Sequence, residues 1–214
     1  MSCVNRAEGE GATPGSEHRA CASAQRMRLV ETTSAQSAQP QSGVTAITGE
    51  DLRAAYLTAP MMHYFRKKLA EVADDDLLAR IEEALKYLAI SRYCRSAIPV
   101  TREIDDIWHY WILQTQEYEQ LCRVLPGGEF IHHSSNDYLE YGDPEIGARW
   151  DMRADVEMLA IYVANFGPFV ASRVRYWHLA AFLIDKRGWS LHELNQWLAG
   201  RPATEMLSSE IAGD

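Results

Sequence analysis

Apolar residues recur at intervals of three and four along most of the chain from Thr48 onward, and this spacing predicts helices rather than strands. Thr48, with Asp51 three residues later, opens the first helix as a capping box before Leu52, Ala55 and Tyr56. Pro60 restarts the chain, and a second helix runs from Met61 to about Val72. Asp74, Asp75 and Asp76 place negative charge at the positive end of a third helix, whose core face is Leu77, Leu78, Ile81, Leu85, Leu88 and Ala89. Ile98-Pro99-Val100 ends it. Thr101 and Glu103 open a fourth helix, predicted to run unbroken to about Val124 before Pro126-Gly127-Gly128. After a polar connection from Ser134 to Asp143, one helix reaches Asn165 and another spans Pro168 to Arg187, with Phe166-Gly167 between them. Gly188 stops the latter, and Ser190 with Glu193 makes a capping box for a short last helix ending near Leu198.

Strand patterns are almost missing. Only Glu129 to His133 reads as a short extended piece, so the fold class is all-α, a single irregular bundle of six or seven helices without internal repeats. The domain organisation is a leader of residues 1–43, a helical domain of 44–200 and a flexible tail of 201–214. The leader is rich in Ala, Ser, Gln, Gly and Thr and contains no aromatic residue, so it cannot bury enough surface to offset its ordering entropy and is expected to be disordered. Met27 offers an alternative start. Removing residues 1–42 is expected to leave the thermal midpoint within a few degrees of the full chain's. Calorimetry of the truncated protein checks this, and a large loss of unfolding cooperativity would refute the disordered leader.

Composition narrows the function classes. The 214 residues carry a formal charge of −9, with a pI near 5.3, which argues against a general nucleic-acid binder because phosphate attraction needs clustered Lys and Arg. There is neither a run of about 18 apolar residues nor a secretory h-region, so no membrane partner is expected and the cytoplasm is the expected compartment. Cys3, Cys21, Cys94 and Cys122 form no C-x-x-C pair or zinc-ribbon spacing, and reduced thiols without a catalytic role are expected. P-loop, G-x-S-x-G, dinucleotide glycine and H-E-x-x-H patterns are all missing.

The chemistry-bearing residues concentrate between Ile104 and His133. Ile104, Trp108, Trp111, Thr115, Tyr118, Cys122 and Leu125 form one helical stripe at alternating spacings of four and three, which is core. His109 lies about 140° away from Ile104 around the helix. Asp105 and Asp106, four and three residues earlier, can accept its ring N–H and set its tautomer, as carboxylates do for ligating histidines. His132 and His133 point to opposite faces of an extended segment, so only one of them can join His109. The return path is demanding. His109 to the expected helix end is 15 residues, about 22 Å, and the eight residues back to His132 span at most about 28 Å.

The segment Ile104-Asp105-Asp106-Ile107-Trp108-His109-Tyr110-Trp111-Ile112-Leu113-Gln114-Thr115, continuing through Tyr118 and Cys122 to Gly128, Phe130, His132 and His133, resembles a bacterial family related to the glycine-rich domain-containing proteins. The pattern it follows is V-D-x-x-W-H-x-H-I-L-x-T-x-x-Y-x-x-x-C and then G-x-F-x-H-H-x-P. Trp111 replaces the pattern's second histidine, and Ser134-Ser135 replace the residues after the His pair. The resemblance spans about residues 98 to 135 and implies a helical fold and a histidine-centred site, without supplying a substrate.

Two functional readings follow. In the first, His109 with His132 or His133 binds a transition metal, iron or zinc, and Asp105 orients His109. In the second, the protein is a non-catalytic accessory or interaction module in which these residues pin a loop to a helix. A protein partner would then be met through exposed aromatic residues, with Arg173, Arg175 and Tyr176 as a candidate patch.

Overall fold

The computed structural model describes residues 46–93, 99–133 and 152–200. The expected leader and tail, the 134–143 connection, Trp150 and Cys3, Cys21 and Cys94 lie outside the described residues. Among the described residues the fold is all-α, with nine helices: α1 Gly49–Tyr56, α2 Ala59–Lys68, α3 Asp74–Ile90, α4 Arg102–Ile112, α5 Thr115–Val124, α6 Met152–Phe166, α7 Ala171–Val174, α8 His178–Asp185 and α9 Leu191–Ala199. A 3₁₀ turn, Ser91–Tyr93, extends α3. No helix among these residues is long and apolar enough to cross a membrane.

Both predicted capping boxes form. Thr48 Oγ1 accepts from the Asp51 N–H while the Asp51 carboxylate accepts from the Thr48 N–H, and Ser190 and Glu193 repeat the exchange at α9. The count exceeds seven because two predicted helices are each divided. The helix expected over 101–124 breaks at Leu113-Gln114, where Gln114 leaves helical geometry at ψ 68°. The one expected over 168–187 breaks at Arg175–Trp177. There Val100 and Trp177 form an isolated antiparallel bridge. The Thr101 N–H donates to the Tyr176 carbonyl at 3.0 Å and the His178 N–H to the Pro99 carbonyl at 2.9 Å. Pairing with the strand-like 99–101 segment satisfies backbone groups that a continuous helix would have bonded internally. The expected extended piece at Glu129–His133 is irregular backbone, pairing with no strand.

Helix α3 is the hub, packing against α1, α2, α4 and α6. It is buried on every side from Ile81 to Ile90, so its polar residues need internal partners. Glu83, with 0% of its surface exposed, accepts from Lys86 Nζ at 2.8 Å and from Trp177 Nε1 at 2.9 Å. Lys86 also donates to the Tyr162 hydroxyl at 2.9 Å. Burial, followed by the nearby Glu83 charge, holds the Tyr162 phenol well above its ordinary pKa, so it stays protonated. Glu82 pairs with Arg53 at 2.8 Å and Arg173 at 2.7 Å. Through Trp177, this buried network also braces the segment that starts α4.

Candidate metal centre

Helix α4 carries the first two residues of the site. Asp105 and His109 are one turn apart on the same helix face, the neighbour relation that an i, i+4 spacing enforces. His109 Nδ1 is 3.3 Å from Asp105 Oδ2 and 2.9 Å from the Asp105 main-chain carbonyl. Because a carbonyl only accepts, Nδ1 carries the hydrogen in this arrangement and Nε2 keeps the lone pair. The His109 side chain is 46% exposed, so the site opens to solvent.

The break at Gln114 brings the third residue within reach. It redirects the chain into α5, and the Tyr118 hydroxyl then accepts from Trp108 Nε1 at 2.9 Å. The same hydroxyl donates to the Ile131 carbonyl, tying the returning segment down. Burial raises the Tyr118 phenol far above its ordinary pKa, opposed by the Trp108 hydrogen bond, so the group remains a donor at any physiological pH. Phe130 lies edge-on against Tyr118 with ring centroids 5.2 Å apart. Two residues after Ile131, His133 seats its ring edge-on against Trp108 at 4.5 Å and against His109 at 4.3 Å. His133 Nε2 reaches Asp105 Oδ1 at 3.2 Å, with only 12% of the side chain exposed.

Asp105, His109 and His133 thus converge, each offering a ligand atom within 4.8 Å of the others. His132 does not join them. It is exposed and packs on Phe130 at 5.0 Å, so one of the two adjacent histidines enters the site and the other turns away. The carboxylate stands between both imidazoles rather than behind His109 alone. Trp111, at the position of the pattern's second histidine, is buried at 1% exposure and packs edge-on against Phe65 at 5.3 Å, so a histidine there would face the core. The bracing partners were harder to read. Trp108 and Tyr118 sit in the predicted core stripe, but nothing in that spacing shows their polar atoms joined to Ile131.

The remaining histidines stay apart from this group: among the described residues His63, His178 and His192 are exposed on other elements. Arg173 pairs with Glu82 and Tyr176 is buried against Asp76, to which its hydroxyl donates at 2.6 Å. Comparison of the chain with protein-family models, curated proteins and solved structures gives no match.

Proposed function

We propose that this protein is a metal-binding helical domain in which Asp105, His109 and His133 hold one divalent transition ion, iron or zinc. The observation that carries the reading is the convergence of Asp105, His109 and His133, each of which offers one ligand atom within 4.8 Å of the others. A charge-assisted N–H···O⁻ bond closes to about 2.7–2.9 Å. Ligands about 2.0–2.2 Å from a tetrahedral ion stand about 3.3–3.6 Å from one another. The 3.2 Å between His133 Nε2 and Asp105 Oδ1 lies between these two ranges, so a small side-chain movement brings the pair onto an ion. Two imidazoles and one carboxylate, with no thiolate, suit iron and zinc alike. Three protein ligands leave at least one position to water, as in catalytic rather than structural zinc sites. The resemblance to glycine-rich-domain-related proteins covers both elements of the site and supports the same reading.

A second reading rests on a specific observation. The Trp108 contact of His133 and the Tyr118 bond to Ile131 close the loop onto α4 without any ion. In that case the histidines are structural and the protein is a non-catalytic accessory module.

Metal titration separates the two. The full-length protein, stripped with chelator and titrated with Zn²⁺ or, under nitrogen, with Fe²⁺, is expected to take up one ion per chain. Its stability should rise by about 2.7 kcal/mol at a hundredfold excess over the dissociation constant. His109→Ala and His133→Ala should abolish uptake, and His132→Ala should retain it. Uptake by neither metal, or undiminished uptake in His133→Ala, overturns the metal reading. A stability loss in His133→Ala without any metal dependence is the signature of the structural pairing.

A further inference from the structure

Helix α9 and the turn before it form a second feature, independent of the metal centre. An open cleft of about 390 Å³ is lined by Trp189, Glu193, Gln196, Trp197 and Gly200, within the size range of small-ligand sites. Its two indoles stand at 88° to each other with centroids 5.2 Å apart, two walls of an aromatic corner. The carboxylate beside them is immobilised by the capping box, since Glu193 Oε2 accepts from the Ser190 N–H at 2.7 Å. Hydrogen bonds from the Ser190 backbone and side chain lower the Glu193 pKa, so the group stays ionised.

We propose that this cleft binds a small alkylammonium ion, of which choline is the simplest probe. The negative faces of two indoles attract a cation and tolerate its alkyl groups, the combination that recognises quaternary ammonium ligands. Glu193 adds a fixed opposite charge at the rim, and the chain's net charge of −9 favours approach of a cation.

The test is a titration of the ¹⁵N-labelled full-length protein with choline, followed by the indole N–H resonances. Choline should shift the Trp189 and Trp197 resonances saturably, with a dissociation constant of order millimolar. The neutral isostere 3,3-dimethylbutan-1-ol should bind at least about fivefold more weakly, because it keeps the shape and the hydroxyl but not the charge. Glu193→Gln, which keeps the N3 capping role, should weaken choline by a similar factor while the resonances of the core tryptophans stay in place. No shift at either indole, equal binding of the neutral isostere, or undiminished binding in Glu193→Gln overturns the proposal. If Glu193→Gln disturbs the core resonances, the isostere comparison on the unmodified chain decides alone.

Discussion

Trp108→Ala is expected to cost about 3–5 kcal/mol of folding stability, the range for removing a large aromatic side chain from a packed core. Trp108 is 3% exposed and packs edge-on against Tyr87 at 5.5 Å on α3. It also supports the His133 ring and donates to the Tyr118 hydroxyl. Truncation therefore opens a cavity between α3 and α4, removes the indole donor from the Tyr118 hydroxyl and deprives the 130–133 segment of its floor. Trp108→Phe separates these effects in part, since it keeps an aromatic ring in the core but loses the N–H together with part of the indole's volume. It should cost about 1–3 kcal/mol, the penalty for one lost buried hydrogen bond. Chemical denaturation of both variants checks the order, and a near-native midpoint for Trp108→Ala would mean that this face of α4 does not carry the core.

The predicted stripe through Trp108 shows where sequence reading succeeds and where it stops. Ile104, Trp108, Trp111, Tyr118, Cys122 and Leu125 are all buried, as the spacing requires, yet Thr115 is exposed. A single straight helix would have buried all seven. The break at Gln114 gives α4 and α5 separate axes, so each presents its own face to the core and Thr115, at the start of α5, turns outward. Nothing in Ile112-Leu113-Gln114-Thr115 announces the break, because no glycine or proline lies there. The redirected α5 is instead held by a long-range bond, Tyr118 to Trp108, that spacing along one helix does not reveal. The same break resolves the reach problem, since the returning segment no longer retraces one long helix.

The site was legible in part for a related reason. The i, i+4 pairing of Asp105 and His109 is a local property, and the alternation of an extended segment implied that only one of His132 and His133 could join them. Which one joins depends on where Ile131 is tied down, and that depends on a tyrosine 13 residues away. Position in sequence alone does not carry that information.

The buried charges of α3 were the least legible element. The run Ile81-Glu82-Glu83-Ala84-Leu85-Lys86 reads as an amphipathic helix with a solvated face. In the structure that face is covered, and beyond the local Lys86–Glu83 pair its partners come from positions 29 to 94 residues distant. Even Gly49 belongs to the arrangement. A Cβ there would meet the Glu82 side chain at 2.4 Å, so the absence of a side chain admits the carboxylate beside the first turn of α1.

This network supports the second large prediction. Glu83→Ala is expected to destabilise the protein by about 3–5 kcal/mol, because it leaves the Lys86 ammonium without its counter-charge in an interior where an unpaired ion is costly. Trp177 Nε1 loses its acceptor as well, and Trp177 forms the bridge that sets the start of α4. Replacing both members of the pair should be far milder. Glu83→Leu with Lys86→Met removes the uncompensated charge and fills similar volume with apolar groups, an exchange that is often neutral or stabilising for buried ion pairs. The Trp177 N–H and the Tyr162 hydroxyl would still lose partners, so a residual cost of about 1–3 kcal/mol is expected. A double-mutant cycle over Glu83→Leu, Lys86→Met and their combination measures the coupling directly. A large favourable coupling identifies the pair as an ionic unit inside the core. Additive losses would instead mean that the side chains stabilise the protein independently, through their contacts with Trp177 and Tyr162 rather than through each other.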